Sequence, residues 1–208
     1  MTSTFKYGDV EITFLKHAGF KIKGSKTIYI DPYDLPDIEL ERADLVLVTH
    51  EHFDHMDLKA IKKVRKDETV VVVPSGCMAE GYRTCELDIG VREEVEGVTI
   101  ETVPAYNVDK SFHRKGEGVG YIVTIDGVRI YHAGDTDFIP EMKEIDVDIA
   151  LIPVGGVYTM DVEDAKKAID VIKAKHVIPM HYGTLPETKA DLSKLKLDKV
   201  VVLEPMFK

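Results

Sequence analysis

The chain has 208 residues, 44% of them apolar, and 27 Lys and Arg stand against 37 Asp and Glu for a formal charge of -10. That length and apolar content fit a single domain over residues 1–208, and the acidic balance argues against a nucleic-acid partner. The only cysteines, Cys77 and Cys85, do not make a disulfide framework, and no segment approaches the roughly 18 apolar residues of a membrane helix, so a cytoplasmic protein with no membrane contact is expected.

In chain order, Val10–Leu15, Gly19–Ile22 and Thr27–Ile30 are short apolar-rich runs punctuated by Gly19, Gly24 and Pro32, which predicts antiparallel hairpins. Leu45-Val46-Leu47-Val48 reads as a buried strand. After it, Leu58–Val64 carries apolar residues at helical spacing with lysines on the other face, and Val70–Val73 is a second buried strand. Val98–Val103, Gly120–Ile125 and Val128–Tyr131 are further strands, the last two joined by an Asp126-Gly127 hairpin turn. Ile149–Pro153 is a buried strand, and Val162–Ala174 an amphipathic helix with Ala165, Ala168, Ile169 and Ile172 as its apolar stripe. A strand at Val177–Pro179, a short helix at Asp191–Leu195 and a final strand at Lys199–Leu203 complete the chain. Hairpins followed by strand and helix alternation, twice over, predict an α/β protein of two packed sheets with helices outside them.

The densest chemistry lies in Thr49-His50-Glu51-His52-Phe53-Asp54-His55, directly after the first buried strand. Imidazole nitrogens and carboxylate oxygens are ligands of zinc and similar divalent ions. In extended backbone His50 and His52 project from one side, and a turn into a helix around Asp54 to Leu58 swings Asp54 and His55 toward a neighbouring position. That suits two adjacent ions better than one. Asp135, after Gly134, and His181, after Met180, each follow a strand end, where an open sheet gathers ligands from separate parts of the chain. Asp135 is placed to bridge two ions and His181 to complete the second.

His50-x-His52-x-Asp54-His55, Gly134-Asp135-Thr136 and Pro179-Met180-His181-Tyr182 resemble, in order, the motifs of the metallo-beta-lactamase superfamily. His17-Ala18-Gly19-Phe20, Ile30-Asp31-Pro32 and Val177–Thr184 look like its small lactonase-like branch, which includes ascorbate-6-phosphate lactonases. The resemblance implies a four-layer αβ/βα sandwich. It also implies two metals, one on His50, His52 and a third histidine, the other on Asp54, His55 and His181, with Asp135 between them. The third histidine departs from the pattern: the equivalent stretch reads Val103-Pro104-Ala105-Tyr106-Asn107, and His113, six residues on in a polar loop, is the replacement ligand or else a surface residue.

His17 is read as a contact to substrate or to a metal ligand, or as a solvated turn residue. His132 is read as orienting the Gly134-Asp135 turn, and His176 as surface. Asp31 either holds His50 or His52 in its metal-binding tautomer or caps a turn. Two divalent ions, zinc first and manganese, iron or nickel as alternatives, would activate a water as hydroxide against an ester, lactone, amide or phosphodiester, with Asp54 steering its proton. Tyr106, Lys110, His113, Arg114 and Lys115 form a basic loop that suits a small anionic substrate, or is a solvated lid. The Pro153–Tyr158 turn is expected on the opposite wall. The rival readings are a nuclease of the same superfamily and a non-catalytic metal-binding or sensing protein. Met206 and Phe207 are candidates for packing on a second copy of the chain.

Overall fold

The computed structural model of the chain describes residues 2–77 and 79–208. Its first sheet runs in sequence order: β1 (Thr4–Tyr7), β2 (Val10–Lys16), β3 (Gly19–Lys23), β4 (Thr27–Ile30), β5 (Ala43–Leu47), β6 (Arg65–Pro74) and β7 (Arg83–Leu87). β1 to β4 pair antiparallel, and β4 to β7 pair parallel. The second sheet repeats the plan with β8 (Arg92–Val95), β9 (Val98–Ala105), β10 (Gly118–Ile125), β11 (Val128–His132), β12 (Asp146–Pro153) and β13 (Lys173–Met180). Here β8 to β11 are antiparallel, and β11 to β13 are parallel. Parallel neighbours need crossovers, which α1 (Leu58–Val64) supplies between β5 and β6, and α2 (Val162–Val171) between β12 and β13.

The apolar runs of β5 and β6 are continuous because both of their faces are covered. Leu45, Leu47, Val70 and Val72 enter a core shared with the second sheet, while Val46, Val48, Val71 and Val73 pack beneath Ala60, Ile61 and Val64 of α1. Fully burying a side chain such as Ile61 contributes about 1.5–3 kcal/mol. Asp57 caps α1 by accepting from the Lys59 and Ala60 amides at 2.9 and 3.1 Å, and Asp161 caps α2 through the Asp164 amide at 2.9 Å. The α/β two-sheet architecture expected from the sequence is the one observed, with few helices outside the sheets.

The structure corrects several element boundaries. α2 ends at Val171, and Lys173–Met180 is strand, because Asp146 to Pro153 pair with it in parallel register from Lys173 onward. Lys199–Leu203 is no strand: the Val177 amide donates to Lys199 O and the Val201 amide to Val177 O, leaving an isolated bridge. Of the short helix at Asp191–Leu195, one 3-10 turn, Leu192–Lys194, forms. β1, β7 and β8, which the periodicity did not reveal, are all sheet edges. Their sequences, TFKY, RTCEL and REEV, are polar and largely exposed, as edge strands that resist pairing with other chains are. His176, expected at the surface, is half-buried with its ring 5.0 Å from that of Phe5. Met206 is exposed, but its amide donates to Phe14 O and that of Phe207 to Leu15 O, so the C-terminal segment lies along β2.

Candidate metal centre

The ends of β2, β4, β5, β11 and β13 and the β9–β10 connection gather eight of the nine predicted site residues into one chain of neighbouring side chains, and Asp31 braces them from behind. Only His52 of the nine is exposed. The geometry that unites His50 and His52 is not extended backbone: β5 ends at Leu47, and the His55 and Met56 amides fold back onto His52 O at 3.0 and 2.8 Å. The chain then turns into a helix as expected, with Asp54 and His55 in the turn and α1 starting at Leu58.

Three nitrogens form one face of the site. His52 Nδ1 lies 3.0 Å from His50 Nε2 and 3.2 Å from His113 Nε2. The tautomers are fixed from outside. Thr49 Oγ1 donates to Asp31 Oδ2 at 2.7 Å, so its lone pair receives the proton of His50 Nδ1 at 3.0 Å and His50 Nε2 is left as a lone pair facing the site. His113 Nδ1 donates to Asn107 Oδ1 at 3.1 Å, which leaves His113 Nε2 in the same state. With His52 Nδ1 beside them, these nitrogens can either share one proton or all turn their lone pairs to a cation. Nitrogens about 2.0–2.1 Å from an ion at tetrahedral angles are about 3.3 Å apart, close to the spacing here.

A second group, His17, Asp54, His55 and His181, has donor atoms all within 4.8 Å of one another. His55 Nδ1 donates to Asp31 Oδ2 at 2.7 Å, which aims its Nε2 inward, and His17 Nε2 lies 3.0 Å from Asp54 Oδ2. Asp135 reaches both groups: its Oδ1 is 3.4 Å from His55 Nε2, and its Oδ2 is 3.0 Å from His181 Nε2 and 3.3 Å from His113 Nε2. His181 Nδ1 and His17 Nδ1 are buried without a partner, and the close approaches of Asp135 to His55 Nε2 and His181 Nε2 are not aligned as hydrogen bonds. Orphaned buried donors and acceptors of this kind are costly, and the set is made of the nitrogen and oxygen ligands that a divalent ion takes. The residues present therefore fit such ions.

Electrostatics divide the rings into a neutral set and one charged ring, His55, whose proton a bound cation would replace. Burial pushes the imidazolium forms of His50, His52 and His17 down, most strongly at His50, so these rings are held neutral as ligands must be. Burial also acts against charge on His55, Asp54 and Asp135, but it is outweighed. Asp135 and Asp31 raise His55 well above the usual histidine range. The hydrogen bond from His17 lowers Asp54, and His181 and His55 hold Asp135 well below the usual carboxylate range.

The backbone is strained to achieve this. His17, Asp31 and His181 have φ of 59°, 45° and 57°, a region costly for residues with a side chain, and the His181 amide donates to His17 O at 2.7 Å. Gly134 turns at φ 64°, where a Cβ would lie 2.8 Å from Val119 O, and a Cβ on Gly155 would meet His181 O at 2.2 Å. His132 is structural as expected, its Nε2 donating to Ala18 O at 2.8 Å and its Nδ1 accepting from the Gly134 amide at 3.2 Å.

A profile of the beta-lactamase superfamily domain matches residues 11–181. The chain belongs to this superfamily. It is 40% identical to a UPF0173 metal-dependent hydrolase of Pyrococcus furiosus, over 94% of this chain and 97% of that one, which places it among the metal-dependent hydrolases of the superfamily. A solved structure from Parabacteroides distasonis, described as a proposed metal-dependent hydrolase, superposes with a TM-score of 0.86 at 34% identity and covers 99% of each chain. A metallo hydrolase from the hyperthermophilic archaeon Ignicoccus hospitalis gives 0.79 at 30% identity, covering 94% of this chain and 95% of its own.

Within this superfamily member two sequence readings change. Asp31 secures His55 directly, and His50 only through Thr49, whereas the sequence pointed to His50 or His52. Of the basic loop, His113 faces the site but the cations do not: Lys110 pairs with Asp137 and donates to Thr159 O at 2.8 Å, Lys115 pairs with Glu141 at 2.9 Å, and Arg114 approaches Glu117 at 3.9 Å. Thr49 and Asn107 were missed as site residues. Asn107 anchors His113, taking its amide on Oδ1 at 3.0 Å and giving its own amide to His113 O at 2.8 Å. The signal available was a lone Asn just past a strand, a residue type that readily bonds nearby backbone.

Proposed function

We propose that the chain is a binuclear hydrolase of the lactonase-like kind, acting on an ester, lactone or phosphoester-type bond of a small molecule in the cytoplasm. The observation that carries this reading is Asp135, whose two oxygens reach the His50, His52 and His113 group on one side and the His55 and His181 group on the other. Zinc is the first choice for the nitrogen and oxygen donor set, with manganese, iron or nickel as alternatives. When bound, such ions supply an activated water and polarise the oxygen of the scissile group.

The protein's part is to hold the donors in place. His50, His52 and His113 are the ligands of one position and Asp54, His55 and His181 of the other. Asp31, through His55 and Thr49, fixes tautomers on both sides. Asp54 has a second duty: held ionised by His17 Nε2 on Oδ2 at 3.0 Å, its carboxylate accepts a hydrogen bond from the attacking water and steers it. His17 orients Asp54 and is a positioning residue.

The test is to strip metal from the purified protein with a chelator, restore zinc, manganese, iron or nickel one at a time, and assay aryl esters, lactones and phosphodiesters. Activity abolished by stripping and restored by one of these ions is the expected result. Activity that survives stripping would overturn the reading.

A further inference from the structure

We infer that this site selects an uncharged substrate carrying an apolar, ring-sized substituent, held by Phe53, Phe112 and Leu185. The inference rests on the hydrolase reading for the reacting bond and adds what lies beside it. A cavity of about 300 Å3 opens against His52, Asp54, Asp135 and His181, at the small end of ligand pockets and with room for about ten water-sized groups. Its remaining walls include Phe53, Phe112, Tyr158 and Leu185.

Phe53 and Phe112 are 69% and 45% exposed, and each adjoins a candidate metal ligand in sequence, so the chain spends two large apolar side chains at the mouth of a polar site. An apolar surface left open in this place marks a binding surface. The rings are also braced. Phe112 meets Tyr158 edge-on at 4.8 Å and Phe53 meets Tyr33 edge-on at 6.1 Å. Tyr158 O accepts from Asn107 Nδ2 at 2.9 Å, which ties this wall to the residue that anchors His113.

Charge decides the second half of the inference. No Lys or Arg lines the cavity among the described residues, and the nearby Lys110, Arg114 and Lys115 are turned to carboxylates. The one carboxylate of the outer wall, Glu187, accepts the Tyr158 hydroxyl at 2.7 Å. An anionic substituent placed at that outer wall meets the like charge of Glu187 with no side-chain cation beside it, the ions lying deeper, at the reacting bond.

The experiment compares 4-nitrophenyl phenylacetate with 4-nitrophenyl hemisuccinate on the metal-loaded protein, and follows benzyl alcohol binding by saturation-transfer NMR. The neutral ester should be favoured in kcat/KM by on the order of tenfold or more. Phe112→Ala should keep its metal, raise KM for the phenylacetate about tenfold and abolish the benzyl alcohol signal. Glu187→Lys should move the preference toward the hemisuccinate. A wild-type preference for the hemisuccinate, or benzyl alcohol binding that is absent or indifferent to Phe112, would overturn the inference. Phe112-dependent binding without hydrolysis of either ester would uphold the pocket and count against the hydrolase reading instead.

Discussion

The half of the cluster around His50, His52 and His113 stands on turns and a loop, leaves His52 exposed and contains no carboxylate of its own. The half around Asp54, His55 and His181 is buried, includes a carboxylate, and is braced by Asp31, His17 and the three left-handed backbone positions at His17, Asp31 and His181. Each arrangement suits a cation for a different reason. In the first, neutral imidazole lone pairs are pressed together; in the second, buried carboxylates face rings with unpartnered nitrogens. The loop-borne half is therefore the one whose occupancy depends on few contacts, while the buried half is built into the stability of the fold.

Asp135 belongs to both halves, so Asp135→Ala should erase the difference: both ions and all hydrolytic activity should be lost, read by elemental mass spectrometry and assay on the same sample. Asp31→Ala should separate fold from site. It leaves His55 Nδ1 and the Thr49 amide and hydroxyl without their buried acceptor, a loss of about 3–5 kcal/mol and a fall in Tm of roughly 10 °C for the metal-free protein by calorimetry. Asn107→Ala should act on the loop-borne half alone, weakening the ion held with His113 about 10- to 100-fold while the other stays, as shown by metal titration. His17→Gln should be mildest, costing about tenfold in kcat through the orientation of Asp54 with both ions retained. Loss of the Asp54, His55 and His181 ion in Asn107→Ala would mean that the halves are one cooperative unit.

Much of this was legible in the sequence because strand ends of parallel sheets converge. Asp54 and His55 after β5, Asp135 after β11 and His181 after β13 needed only the strand assignments to be brought together. The loop-borne half was legible in its three histidines but not in their support, since the contact between Asn107 and His113 closes a loop whose path no periodicity records. The edge strands β1, β7 and β8 were invisible for a related reason: one side of each is solvated, so charge replaces alternation. At Lys173-Ala174-Lys175 helical spacing continued past the true end of α2, and pairing with Asp146 and Val147 prevailed over local propensity.

The central claim is a two-ion site completed by His113, and metal stoichiometry tests it most directly. The measurement is metal content by elemental mass spectrometry for the wild type and for His113→Ala at matched protein concentration. The account predicts close to two ions per chain in the wild type and close to one in the variant. One ion or none in the wild type, or two in both proteins, would contradict it.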